Sequence, residues 1–202
     1  MIPSCLRLLR PSRTNGASDG FFGDTSLPRA FNPAYNPPVP LAPRQTRFLI
    51  TFAVLLVAFY AIVTLDSVDE HFVIPFTRAL ASVSGALLNA IGERVSVAGT
   101  VIAGSQFAVD VRGGCNGLEA VVFVCAAMLA FAAPVKTRIA GAVSAAVILE
   151  AVNVVRVASL YWIGVYHRAA FETFHLAIWQ TVMFALAVFL FVAWVSKFAT
   201  RT

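Results

Sequence analysis

Apolar residues in this chain run in unbroken blocks, the first of which, Phe48 to Leu65, is eighteen residues without a charge. Coiled as a helix, such a block covers about 27 Å at about 1.5 Å per residue, close to the ~30 Å hydrocarbon thickness of a bilayer. Later blocks are as long or longer. A soluble fold of this kind would expose far too much apolar surface, because 59% of the 202 residues are hydrophobic and 12% charged, with a mean hydropathy of +0.80. The fold class expected is therefore an all-α membrane protein.

The net charge of +5 raises nucleic-acid binding as an alternative. Six of the fifteen basic residues, Arg7, Arg10, Arg13, Arg29, Arg44 and Arg47, precede the first apolar block, which reads as a topology signal. Residues 1–47 also hold eight of the ten prolines and are expected to form a disordered cytoplasmic tail. The apolar stretch Cys5 to Leu9 is too short for a signal-peptide core, so the tail is expected to be retained.

The positive-inside rule orients the remainder. Spans are expected at 48–65, 118–135, 139–166 and 174–195, with Lys136, Arg138, Lys197 and Arg201 on the same side as the N-terminus. Residues 72–91, interrupted by Arg78, Ser82, Ser84 and Asn89, fit a helix lying at the outer interface better than a span, with a re-entrant or full span as the alternative. Residues 94–112 alternate. Val95, Val97, Val109 and Val111 fall on one face, Asp110 and Arg112 on the other, and Gly104-Ser105 divides two arms of a β-hairpin. The expected whole is a bundle of about four transmembrane helices with an outer amphipathic helix and a small hairpin, covering 48–196.

Depth then selects residues. Cys115 lies just above the outer end of the second span, with Glu119 one turn below it. Arg156 lies about 26 Å along a helix counted from Ile139, near the outer boundary, and His175 opens the last span from outside. Ionisable groups inside a span cost at least about 2.5 kcal/mol, so Arg156 and Glu150 should face a protein-lined interior. For Glu150 the plain expectation is a pairing with Asn153 that joins helices.

The three cysteines, at 5, 115 and 125, form no Cys-x-x-Cys pair and no even framework. Cys115 is therefore read singly, as a nucleophile whose thiol pKa is lowered by the helix start and by nearby cations. Gly113, Gly114 and Gly117 leave the backbone open for a substrate carbonyl and an oxyanion. His175 suits proton transfer, although His167 beside Arg168 is a rival that spacing leaves open. Arg156 would stabilise thiolate or oxyanion charge. Cys125 reads as packing and His71 as a solvated loop residue. The His-Glu-x-x-His pattern does not occur, and Gly-x-Ser-x-Gly occurs only at Gly16-Ala17-Ser18-Asp19-Gly20 in the Pro-rich segment, away from the apolar blocks, which disfavours zinc and serine intramembrane proteases. A thiol–quinone oxidoreductase would need exchanging cysteine pairs. A non-enzymatic transporter or assembly subunit, with Glu150, Asn153 and Arg156 lining a polar path, is the remaining alternative.

The run Arg112-Gly113-Gly114-Cys115-Asn116-Gly117-Leu118-Glu119, then Asn153-Val154-Val155-Arg156, then His175 after a short loop resembles the exosortase family of membrane thiol transpeptidases. The small size is similar to the compact type H members. The resemblance implies catalytic Cys115, Arg156 and His175, with Gly114, Asn116, Gly117, Glu119 and Asn153 as substrate or oxyanion support. It also implies no metal or organic cofactor. The implied partners are exported proteins with a C-terminal motif, a transmembrane helix and a basic tail. Cleavage would occur at the outer, periplasmic face of a bacterial inner membrane.

Overall fold

The computed structural model describes residues 43–112 and 114–198. The Pro-rich segment expected to be disordered falls, up to residue 42, outside the described residues, as does Gly113. The helices are α1 (Pro43–Val63), α2 (Asp66–Ala90), α3 (Leu118–Ala130), α4 (Val135–Tyr166) and α5 (Arg168–Lys197). Four of them, all but α3, are long and apolar enough to cross a membrane. The chain is an all-α membrane protein carrying one small antiparallel sheet.

Several helix boundaries differ from the expected ones, with α2 starting at Asp66 rather than residue 72 and α5 at Arg168 rather than residue 174. Helix α1 begins at Pro43 rather than Phe48, since a proline in a first turn lacks only an N–H that would be unpaired anyway. Helix α3 stops at Ala130 rather than continuing to Val135. Pro134 disfavours helical backbone just before it, and the chain is extended at Phe131. Thirteen residues cover only about 20 Å, so α3 alone falls short of a bilayer. Its end is closed by Arg138 of the next helix, whose Nη1 donates to the Leu129 carbonyl at 2.8 Å. Helix α4 then starts at Val135, four residues earlier than expected.

Helix α2 has the length and hydropathy of a span, where an interfacial helix was expected over 72–91, and α3, expected to span, does not. Asp69, Val73 and Thr77 border a cleft shared with Leu118 and Glu119 at the start of α3. At its far end Asn89 brackets Val95 with two hydrogen bonds, and Glu93 accepts from the Trp162 indole near the end of α4 at 2.8 Å.

Residues 94–112 form three strands, β1 (Ser96–Ala98), β2 (Val101–Ala103) and β3 (Ala108–Asp110), paired in the order β1-β2-β3. The expected first arm is thus itself a hairpin. It folds at Gly99-Thr100, where Gly99 has φ +64°, the left-handed value a two-residue hairpin turn requires. The alternation holds: Ile102 and Val109 are cross-strand partners facing the core, while Asp110 and Arg112 are exposed and ion-paired at 3.5 Å. The sheet sits flat on α4 because Gly164 and Gly104 leave room for Phe107 and Tyr161, and a methyl group at either glycine would collide with its ring. One buried cluster joins the sheet to α2 and α4 through Leu88, Ile102, Val111, Val157 and Leu160. A second joins α3, α4 and α5 through Val124, Met128, Leu149 and Met183.

The sheet and the α3–α4 turn occupy opposite ends of α4. Reporter fusions at Ser105 and at Thr137 are therefore expected to give opposite compartment signals. Matching signals would break this topology.

Candidate functional site

Strand β3 delivers the chain to the site and is fastened before it arrives. Asp110 accepts from the Thr100 hydroxyl at 2.7 Å and from the Arg112 amide at 3.2 Å. Partial burial pushes the Asp110 carboxyl up, but those two bonds and the Arg112 charge together hold it below the usual carboxylate range. The next residues turn sharply. Gly114 and Gly117 have φ of +84° and +75°, and the Asn116 carboxamide oxygen accepts from the Leu118 amide at 3.3 Å, in the first turn of α3. At Gly117 a side chain is excluded twice over, because a Cβ there would lie 2.7 Å from Asn153 Nδ2 and 2.9 Å from Glu150 Oε1.

Cys115, 2% exposed, projects from this loop toward α5, with Sγ 2.8 Å from His175 Nε2. His175 sits in a π-helical turn, Phe174–Ile178, and leans on the Phe171 ring at 5.7 Å. From α4, Arg156 Nη2 donates to the Gly114 carbonyl at 3.1 Å and Asn153 Nδ2 donates to the Cys115 carbonyl at 3.2 Å. The loop is thus gripped by two side chains one turn apart on the same helix face. Asn153 also donates to Glu150 Oε2 at 3.4 Å; both stand on α4, so this pairing is made within one helix and does not itself join helices as expected.

The thiol itself differs from expectation. Burial pushes the Cys115 pKa above its ordinary value, the Arg156 charge pulls it down, and Asp110 pushes it up; burial wins. A protonated thiol can donate to Nε2 of an imidazole that carries its proton on Nδ1. The geometry suits proton transfer from the thiol to His175 better than a standing thiolate.

The structure brings Cys115, Arg156 and His175 together with Gly114, Asn116, Gly117 and Asn153, and it separates the rival. His167 caps the end of α4 and is exposed. Cys125 packs between helices, its thiol 3.8 Å from the Ala142 carbonyl. His71 is exposed but helical, with Nδ1 2.9 Å from the Ser67 carbonyl. Glu119 joins the cluster indirectly, through a residue that sequence reasoning passed over. Gln180 of α5 accepts from Arg156 Nη2 at 3.4 Å and donates from Nε2 to Glu119 Oε2 at 2.8 Å. Its signal was present as a lone carboxamide in the apolar run 176–195. It stands five residues after His175, the repeat that a π turn brings onto one face.

Residues 40–193, from just before α1 to within α5, match the transmembrane exosortase family. No curated protein and no solved structure matches the chain. The match covers more than half of the sequence and every side chain of the site just described. The chain belongs to the transmembrane exosortase family.

Proposed function

We propose that this multi-pass membrane protein is a cysteine peptidase and transpeptidase that removes C-terminal sorting tails from exported proteins at the outer face of the inner membrane. The observation that carries the reading is the 2.8 Å contact between Cys115 Sγ and His175 Nε2, a nucleophile within hydrogen-bond reach of its base. As Sγ attacks the scissile carbonyl, its proton passes to Nε2, and the carbonyl electron pair moves onto oxygen. Arg156, cationic at any working pH, stabilises that oxyanion. Collapse breaks the C–N bond, and the departing amine takes the proton from His175. The resulting thioester at Cys115 is then attacked by an amine or by water, with His175 accepting the incoming proton.

The non-enzymatic alternative fits less well. Asn153 and Arg156 are 0% and 2% exposed and are bonded to the Cys115 loop, so they close a site rather than line an open path. The partners in this reading are proteins whose tail combines a short motif, a transmembrane helix and basic residues, met within the bilayer.

Co-expression with such a tailed protein, followed by mass spectrometry of intact protein and released tail, tests the reading. A shortened protein with a single new C-terminus, or that C-terminus joined to an amine, is expected. A tail left intact by abundant enzyme would sink it.

A further inference from the structure

Arg156 is a buried cation with two carboxylates, Glu119 and Glu150, close enough to act on it electrostatically. Buried arginines ordinarily bond such groups directly, often with two parallel hydrogen bonds. Here the recorded acceptors of Arg156 are both neutral, the Gly114 carbonyl and the Gln180 carboxamide. Gln180 turns its other end to Glu119, so one uncharged side chain stands between cation and anion. Arg156 Nε, meanwhile, is buried without a partner, a donor that the resting protein leaves unused.

The spacing has an electrostatic consequence. A carboxylate in contact with the guanidinium would cancel most of its charge, whereas one held a side chain away attracts it more weakly, since the interaction falls with distance. We infer that Gln180 is a positioning residue that anchors Arg156 while keeping Glu119 off it, so that the guanidinium charge serves the Cys115 thiolate and the oxyanion. This inference rests on the thiol mechanism proposed above. It assigns the amide of Gln180 a task that neither an apolar residue nor a carboxylate performs, and it gives Glu119 the role of orienting that amide.

An exchange of the two side chains separates this role from a structural one. The double variant Glu119→Gln/Gln180→Glu keeps the size of both groups, the net charge and a donor–acceptor chain across three helices. It moves the carboxylate onto Arg156. The charged and titratable groups facing Cys115, namely Asp110 from β3, Arg156 from α4 and His175 from α5, remain unchanged. The readout is the pH dependence of Cys115 alkylation by iodoacetamide, measured on the full chain in bilayer nanodiscs by peptide mass spectrometry.

The midpoint is expected to rise by about one unit, as befits loss of a neighbouring positive charge. Tail removal is expected to fall about tenfold in kcat with KM unchanged, because the lost interaction is made only in the transition state. An unmoved midpoint in the folded double variant overturns the inference. If that variant fails to accumulate, Gln180→Leu, which suits a membrane helix, decides: the midpoint rises as Glu119 meets Arg156, and a wild-type midpoint overturns the inference. Alkylation needs no substrate. Absence of tail removal by the wild-type protein would therefore count against the peptidase reading, while the midpoints still decide the role of Gln180.

Discussion

Cys115→Ala is expected to lower tail removal by about 10⁴-fold or more, and His175→Ala to lower it nearly as far, because nucleophile and base act as a unit. In energetic terms that is about 5.5 kcal/mol of transition-state stabilisation at about 1.36 kcal/mol per decade. The geometry accounts for the size of the effect. With its pKa pushed up by burial, Cys115 supplies little thiolate of its own at neutral pH, so removing the base 2.8 Å away removes the route by which the thiol loses its proton. The same reasoning gives the pH profile. Activity should be lost as the pH falls and the imidazole becomes protonated, since the charged ring has no lone pair for the thiol proton. His167→Ala, at the exposed end of α4, should process substrate at the wild-type rate. Immunoblots of full-length and shortened substrate, with enzyme abundance measured alongside, read all three. Full activity in Cys115→Ala would end the thiol mechanism, and a dead His167→Ala beside an active His175→Ala would move the base to the end of α4.

Arg156→Lys is expected to cost about 100-fold or more in kcat, the scale seen when one oxyanion donor is lost. Lysine keeps the charge but not the planar fork. Both bonds, to the Gly114 carbonyl and to Gln180, leave from Nη2, so the guanidinium keeps Nε free on a separate atom, whereas an ammonium making the same two bonds would have one N–H left on that same nitrogen. Arg156→Ala should do worse for a second reason, since it leaves the half-buried Gly114 and Gln180 acceptors without this donor. Thermal unfolding separates the two causes. A stable, fully inserted Arg156→Lys protein with wild-type kcat would show that charge alone suffices.

The features legible in the sequence were those set by short-range rules. The apolar runs demanded a bilayer, alternation marked the β-segment, and counting rise per residue put Cys115, Arg156 and His175 at one level on three helices. What escaped depended on contacts between distant segments. Cys115 reads as exposed beside a glycine-rich helix start, and only the packing of Val111, Val157 and Leu160 around it reveals the burial that raises its pKa. Gln180 looks like an isolated polar residue until α3 and α4 supply Glu119 and Arg156 on either side of it. Neither the break at Gly99 nor the early end of α3 was drawn from the sequence, although both lie at residues that punctuate backbone, Gly99 itself and Pro134.

The length of α4 has a consequence of another kind. Its 32 residues extend about 48 Å, well beyond the hydrocarbon of an ordinary bilayer, and Arg156 lies about 32 Å from its start. A rigid mast of this kind sets the height of the Cys115 loop above the opposite leaflet, and the short α3 beside it has little slack to give. In a thicker bilayer the loop would sink toward acyl chains, and in a thinner one it would ride clear into the headgroups. Lipid chain length should therefore tune this protein as directly as any residue of its loop.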